Sequence, residues 1–146
     1  MSDSDLIKLY SARILALAAD IPRVGHLEAP GAVVKKRAPL CGSTVTVELC
    51  VSDGKVQDFA QDVKACALGQ ASAAVVGSVI VGATIDQVKT ARDQLETMLK
   101  KDGPAPDAPF DGLEVLIPAR EYKNRHASIL LVLNASVEAI KNITGE

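Results

Sequence analysis

The segment "TVTVELCVSDGKVQDFAQDVK", residues 44–64, decides the fold because it has the pattern of two strands joined by a tight turn. In its first part valine and leucine alternate with polar residues, so one strand face is apolar and the other polar. Asp53 and Gly54 supply the positive φ angles that a two-residue hairpin turn needs. The second part alternates less strictly, which indicates a β-bulge. With "GAVVKKRA", residues 31–38, as a further strand, the segment predicts a small antiparallel meander.

Helical patterns surround this meander. Residues 4–19 repeat apolar side chains at helical spacing. Small residues over 66–81 predict a helix that can approach a sheet closely, and "TIDQ" at 84–87 is a capping box that begins the next helix. Residues 113–124 predict a short helix or turn, and residues 125–143 predict a long final helix. The sequence therefore predicts one α+β domain over residues 1–146, a two-layer sandwich of a three-stranded antiparallel sheet and four to five helices.

Composition excludes several classes of function. The 146 residues carry a net charge of −2 and only 3% aromatic residues, so a basic footprint and base-stacking rings for nucleic acid are both missing. Three cysteines without a secretory signal pattern indicate a reducing compartment. The longest apolar run is short and interrupted by glycines, unlike a membrane span. We expect a cytoplasmic protein that binds neither nucleic acid nor a membrane.

Candidate metal ligands lie at three predicted element ends. Cys41 precedes the central strand, Cys66 follows the third strand and opens a helix, and His126 opens the final helix. Because the two cysteines lie at equal distances along the chain from the hairpin turn, an antiparallel hairpin brings them side by side. A helix N-terminus favours the thiolate form that metal ligation needs. Thiolate and imidazole ligands together suit zinc or iron.

Each of these residues also has a structural alternative. Lone cysteines are usually small buried hydrophobic residues, and Cys50, on the polar strand face, is better explained as structural filler. A histidine at a helix start is more often a cap or a surface residue, and His26 in the proline-containing loop receives no functional role. Composition and spacing alone therefore leave open whether a metal site exists.

Four short motifs resemble those of the iron–sulfur cluster assembly scaffold family, the IscU, SufU and NifU N-terminal type. "DIPRVG" is similar to its Asn-Pro-Arg-Asn-x-Gly segment, one residue shorter, and "LCGSTVTVEL" to its Cys-Gly-Asp strand start. "VKACALGQASAAVV" is similar to its Gly-Cys-x-x-x-x-Ala-Ser-Ser helix start, and "RHASILLVLNASVEAI" to its His-Cys-Ser-x-Leu final helix. The motifs keep the family's order, and the resemblance covers residues 4–143. It implies the family's fold.

The resemblance also implies a ligand set. In the family, three cysteines and an aspartate hold a zinc ion or a nascent [2Fe–2S] cluster. Cys41 and Cys66 correspond to the first two cysteines, and His126 corresponds to the histidine beside the third. Ser43 stands in the position of the aspartate, and Ala127 in that of the third cysteine, which is implied to accept sulfur from the desulfurase.

A cluster takes four ligands, mostly thiolates. The resemblance thus implies a reduced site of Cys41, Cys66 and His126, with a serine hydroxyl as a weak fourth ligand; the candidate hydroxyls are those of Ser43 and Ser128, and Cys50 is an outside candidate. The cationic side chains expected to stabilise the thiolates are Arg120, Lys123 and Arg125. A homodimer that shares a cluster between two cysteine pairs would supply the missing ligands.

Two hypotheses follow from the resemblance. In the first, the protein is a scaffold-like carrier and no enzyme; it binds iron, a [2Fe–2S] cluster or zinc, with a cysteine desulfurase as sulfur donor and apo iron–sulfur proteins as acceptors. In the second, it is a metal-free interaction or regulatory module that binds the desulfurase or another assembly factor. Metal analysis of the purified protein and of its Cys41→Ala and Cys66→Ala variants distinguishes the two.

Overall fold

The computed structural model describes residues 11–39 and 42–145, and within these ranges the chain forms one sheet and five helices. The strands are β1 (Ala32–Arg37), β2 (Thr44–Ser52) and β3 (Lys55–Lys64). The α-helices are α1 (Ala12–Ala19), α2 (Ala67–Val79), α3 (Ile85–Lys100) and α4 (Lys123–Thr144), and a 3₁₀ helix covers Asp111–Glu121. The predicted α+β class is confirmed.

The sheet is the predicted antiparallel meander, in the order β1-β2-β3. Asp53 and Gly54 have φ angles of 54° and 74°, so both adopt the left-handed conformation that the tight hairpin requires. The register shifts between Cys50 and Val51, which leaves one extra residue in β3 and confirms the predicted bulge. At the other end of the hairpin Thr44 lies opposite Lys64. The sites that precede β2 and follow β3 are therefore neighbours.

The helices cover one face of this sheet. Val45, Val47 and Leu49 alternate along β2 and are fully buried, because they point into the layer between sheet and helices. Helix α4 is the central element of the core, since it packs against β1, β2, α2 and α3. It is also the one described helix that is long and apolar enough to cross a membrane, although 56% of its apolar window is buried inside the fold. Buried core helices meet the same criterion.

The helix ends follow local chemistry. Thr84 and Gln87 form both hydrogen bonds of the predicted capping box at the start of α3. Helix α2 ends at Val79, two residues before the predicted end, and the first part of the predicted helix over residues 4–19 lies outside the described residues. The segment predicted as a short helix or turn forms the 3₁₀ helix, which contains Pro118. Proline has no N–H and disfavours a continuous α-helix there.

Candidate metal centre

The connection between β1 and β2 forms one side of the candidate site. It is closed by a hydrogen bond from the Ala38 N–H to the Ser43 carbonyl oxygen at 2.8 Å, and the Gly42 N–H donates to the Ala38 carbonyl oxygen at 3.0 Å. Gly42 has a φ of 71°, a conformation that favours glycine. Cys41, the first predicted ligand, belongs to this connection but lies outside the described residues. The flanking residues show that the connection ends where β2 meets the end of β3.

Cys66, the second predicted ligand, sits at the junction of β3 and α2. It is the N-cap residue of α2, with extended backbone angles and a free, half-buried thiol. Its Sγ lies 3.5 Å from the Ser128 Oγ, and the Ser128 hydroxyl donates to the Ser43 Oγ at 3.0 Å. The two serines are 4% and 1% exposed. A thiol and two hydroxyls from three distant segments therefore meet at one point, which we call the Ser–Ser–Cys cluster (Ser43, Ser128 and Cys66).

A glycine makes this convergence sterically feasible. A Cβ on Gly69 would lie 2.5 Å from the Ser128 Oγ and 2.9 Å from the Ala65 Cβ. Real Cβ atoms do not approach other atoms so closely, because interiors are packed to near-crystalline density. Gly69 thus allows the first turn of α2 to lie directly against the first turns of α4. The small residues that follow Cys66 were predicted to permit close approach to the sheet, whereas the close approach at Gly69 is to Ser128 of helix α4.

His126, the third predicted ligand, is buried in the first turn of α4, two positions before Ser128, and its ring has its own hydrogen-bond partners. Its Nε2 lies 3.0 Å from the carbonyl oxygen of Ala119 and 3.0 Å from that of Arg120. Carbonyl oxygens only accept hydrogen bonds, so Nε2 carries the proton and donates to them. The remaining nitrogen, Nδ1, is then the only one with a lone pair for a metal. An imidazole role at this site consequently requires Nδ1.

The predicted cations divide into two groups. The Arg120 Nε donates to the Met98 carbonyl oxygen at 2.8 Å, and its Nη2 donates to the Gly103 carbonyl oxygen. This guanidinium holds the end of α3 and is not directed toward a thiolate. The prediction that Arg120 stabilises the thiolates is therefore wrong. Lys123 is exposed and Arg125 is half-buried in the first turn of α4, so their charges lie at the helix that carries Ser128.

Ala127 occupies an exposed position on α4, between buried His126 and buried Ser128. A side chain at this position points outward, toward the surface. Among residues 11–39 and 42–145, no three His, Cys, Asp or Glu side chains are close enough together to hold a metal ion. Cys41 stands outside those ranges. The donors that the structure brings together in the Ser–Ser–Cys cluster are therefore one thiol and two hydroxyls, and the hydrogen-bond partners of His126 are backbone carbonyls.

Comparisons with known proteins identify the family to which this fold belongs. The family profile described as the NifU-like N terminal domain matches residues 9–126. The chain belongs to the NifU-like N-terminal domain family. A crystal structure of the N-terminal part of a NifU-like protein from Brucella abortus is 46% identical, covers 97% of this chain and 99% of its own, and superimposes with a TM-score of 0.95.

More distant relatives share the fold over nearly the whole chain. A putative iron–sulfur cluster assembly scaffold protein for the SUF system from Fervidobacterium islandicum AW-1 is 22% identical, covers 92% of this chain and 98% of its own, and has a TM-score of 0.83. The iron–sulfur cluster assembly scaffold protein IscU of Thermotoga maritima is 24% identical over 136 residues, which cover 93% of this chain and 95% of that protein. The resemblance stated from the motifs is confirmed. This NifU-like domain is thus homologous to IscU-type scaffolds.

In this NifU-like domain, Cys50 lies near the turn of the hairpin, whereas Ser43 and Cys66 lie at its open end. It is seven positions along β2 from Ser43, a separation of roughly 23 Å at about 3.3 Å per residue. Its Sγ donates to the Ala29 carbonyl oxygen at 3.3 Å. Cys50 is therefore too far from Cys66 to share a metal ion with it inside one chain, and the idea that it is an outside ligand is wrong.

One pair of titratable residues in the NifU-like domain, His26 and Glu48, was not predicted from the sequence. The His26 Nδ1 and the Glu48 Oε2 are 2.5 Å apart, and the Leu27 N–H donates to the Glu48 Oε1 at 3.1 Å. The hydrogen bond to Glu48 raises the pKa of His26, and the hydrogen bond from His26 lowers the pKa of Glu48. Glu48 alternates with the apolar residues of β2 and lies on the outer sheet face, where the loop carrying His26 buries it. The alternation of apolar and polar residues along β2 predicts that Glu48 lies on the outer face of the sheet, but it does not predict that His26 is its partner.

Proposed function

We propose that the protein is an iron–sulfur cluster assembly scaffold-like carrier that binds iron, a [2Fe–2S] cluster or zinc as its cargo. The ligands in this proposal are Cys41, Cys66 and His126, with the Ser43 hydroxyl as a weak additional donor. One observation carries it: the Cys66 thiol contacts Ser128, which in turn donates to Ser43, at the hairpin end to which the Cys41 connection also leads. Membership of the NifU-like family supports the same assignment.

The residues of the site have distinct tasks in this proposal. Cys66 loses its proton on binding the cargo, because the thiolate is the form that ligates metals. The Ser128 hydroxyl lies within hydrogen-bond distance of both the Cys66 sulfur and the Ser43 oxygen. Rotation about its Cβ–Oγ bond can therefore redirect its hydrogen bond from Ser43 to the thiolate. His126 contributes Nδ1 while Nε2 keeps the ring in place. In metal-binding histidines, hydrogen bonds from the ring nitrogen that does not bind the metal fix the orientation of the ring.

The partners in the proposal follow from the cargo. A cysteine desulfurase supplies sulfur, and apo iron–sulfur proteins accept the cluster, in the cytoplasm. The protein itself turns over no substrate. Because Ala127 replaces a thiol at an exposed position, two copies that face each other with their Cys41 and Cys66 thiols would complete a four-thiolate set.

The test is anaerobic reconstitution of the full chain with ferrous iron and sulfide, and separately with zinc, followed by metal counting and optical spectroscopy. We expect stoichiometric metal in the wild type, loss of it in Cys41→Ala and in Cys66→Ala, and retention in the matched control Cys50→Ala, whose thiol lies at the far end of β2. Equal metal content in Cys66→Ala and wild type would reject the assignment, as would a wild type that holds no metal.

A second function is favoured by a specific observation. The Ser128 hydroxyl donates to Ser43, and the His126 Nε2 lies within hydrogen-bond distance of backbone carbonyls, so these polar groups have partners within the protein. This arrangement suits a metal-free module that binds a desulfurase or another assembly factor and regulates it. Desulfurase binding that persists in Cys66→Ala, together with a blank metal analysis of the wild type, would establish this alternative.

A further inference from the structure

Strand β1 forms one edge of the sheet. Its six residues pair with β2 on one side, and among residues 11–39 and 42–145 no strand or isolated bridge pairs with the other side. An unpaired edge of this kind presents a row of backbone donors and acceptors that a further strand can bind. The edge is about 20 Å long at about 3.3 Å per residue. It is therefore long enough to hold an extended segment of a partner.

The side chains of β1 give this edge a positive charge. Val33, Lys35 and Arg37 alternate along the strand and are all exposed, Val33 to 54%. Lys36 points the other way and forms an ion pair with Glu138 of α4 at 3.0 Å. Within the described ranges no salt bridge joins Lys35 or Arg37 to another residue. Lys35 and Arg37 therefore face outward without an ion-pair partner among the described residues, and the apolar side chain of Val33 is exposed beside them.

Lysine on an edge strand is a common device against aggregation. Here the charges discriminate between partners as well. If two copies paired through β1, their cations would face one another, and like charges on neighbouring strands are destabilising. A strand with carboxylates would place opposite charges beside Lys35 and Arg37. The same side chains thus disfavour self-pairing and favour an acidic segment.

The edge also leads directly to the candidate metal centre. Arg37 is the last residue of β1 and pairs with Thr44, and one of its guanidinium nitrogens lies 3.9 Å from where a Cβ on Gly42 would be. The connection that contains Cys41 begins immediately after it. A strand added to β1 would consequently end beside that connection.

We propose that the edge of β1 that no described strand pairs with binds an extended, acidic segment of a partner protein by strand addition. The segment hydrogen-bonds to the backbone of Ala32–Arg37, carboxylates on alternate residues pair with Lys35 and Arg37, and an apolar side chain contacts Val33. The identity of the partner rests on the proposed function: it is a protein that delivers cargo to the metal centre or receives cargo from it.

The experiment uses metal-free full-length protein and an acetylated, amidated peptide of alternating glutamate and valine, about eight residues long, enough to span the strand. We expect saturable binding that weakens with salt, and slower amide hydrogen exchange over residues 32–37. A peptide of alternating lysine and valine should bind at least roughly tenfold more weakly, since two cross-strand pairs change sign. Because no metal is present, failure here is distinguishable from failure of the carrier function.

Two controls separate strand addition from general charge attraction. Methylation of alternate peptide nitrogens on the pairing side removes the backbone donors and should abolish binding of the glutamate peptide. The double variant Lys35→Glu/Arg37→Glu should prefer the lysine peptide, whereas Lys100→Glu/Lys101→Glu, which makes the same charge change on exposed residues of another element, should behave like wild type. Absence of binding, binding that survives methylation, or equal effects of the two double variants would each overturn the proposal.

Discussion

Ser128 donates a hydrogen bond to Ser43 across 3.0 Å, although the two residues are 85 positions apart in the chain. The bond joins the start of β2 to the first turns of α4 at the point where the Cys66 sulfur lies. It ties the hairpin, whose two ends adjoin the proposed ligands Cys41 and Cys66, to the central helix of the core. The local geometry of the candidate site thus depends directly on tertiary packing.

Ser128→Ala should destabilise the fold by about 1 kcal/mol, the usual net contribution of a buried hydrogen bond. The variant removes the contact with Ser43 and the contact with the Cys66 sulfur. Urea denaturation followed by circular dichroism measures the difference. Ser136→Ala is the matched control, since its buried hydroxyl only donates back to the Val132 carbonyl oxygen on the same helix. A larger loss in Ser136→Ala than in Ser128→Ala would contradict the role given to Ser128.

Gly69→Ala should cost roughly 1–3 kcal/mol through overpacking, less the gain of up to about 1 kcal/mol in helix propensity. The new Cβ would collide with the Ser128 Oγ and the Ala65 Cβ. Thermal and urea unfolding report the loss. Adding Ser128→Ala should recover part of it, because one of the two collisions disappears. Gly112→Ala, whose nearest neighbour is Val75 at 3.2 Å, should be tolerated better; equal costs at the two glycines would refute the packing argument.

Ala127→Cys should strengthen cargo binding. The position is exposed next to Ser128, and a thiolate there would add a strong ligand to a site whose described donors are one thiol and two hydroxyls. We expect transfer of metal to a chelator to slow by at least about tenfold, within the range by which supporting contacts alter metal affinity. Competition with a coloured chelator measures this rate. The control Ala127→Ser adds a hydroxyl of similar size and should change little; an identical response in both variants would exclude a thiolate effect.

The His26–Glu48 pair should make stability depend on pH. The raised pKa of His26 means that its contribution is complete below its ordinary value of 6.5 and is lost as the pH rises through the folded value. The lowered pKa of Glu48 means that its contribution is complete above its ordinary value of 4.5 and is lost as the pH falls through the folded value. The pair therefore contributes most to the stability of the folded protein between pH 4.5 and 6.5.

The measurement for this pair is the urea-unfolding free energy of wild type and His26→Gln at pH 5.5 and at pH 8.5. The variant should be the less stable protein at the lower pH, and the difference should shrink at the higher pH. Glu48→Gln keeps the side-chain shape and should show the same pH trend. A difference that grows between pH 5.5 and 8.5 would show that the sign of the linkage is wrong.

The sheet could be predicted because its signals are local. The Asp53-Gly54 turn fixes the register of its hairpin, and the alternation along β2 fixes which face is buried. The proximity of Thr44 and Lys64 follows from these two facts alone. The capping box of α3 is local in the same sense, since Thr84 and Gln87 satisfy each other's backbone.

The polar contacts of the site could not be predicted in this way. Which hydroxyl Ser43 meets depends on how α4 docks, 85 positions later. Arg120 has a long side chain, and the 3₁₀ helix directs it to the carbonyl oxygens of Met98 and Gly103. His26 and Glu48 belong to a loop and a strand with no shared pattern in the sequence. Such partners depend on tertiary contacts, whereas turns and caps depend on a few adjacent residues.

Helix α4, which ends at Thr144, supplies the last component of the Ser–Ser–Cys cluster, since Ser128 follows Cys66 by 62 residues. During synthesis, Cys66 therefore leaves the ribosome long before Ser128 can cover it. Until then the thiol is bare, open to oxidants and to stray metal ions. Because the two residues are 62 positions apart and synthesis proceeds at roughly 5–20 residues per second, this interval lasts only seconds.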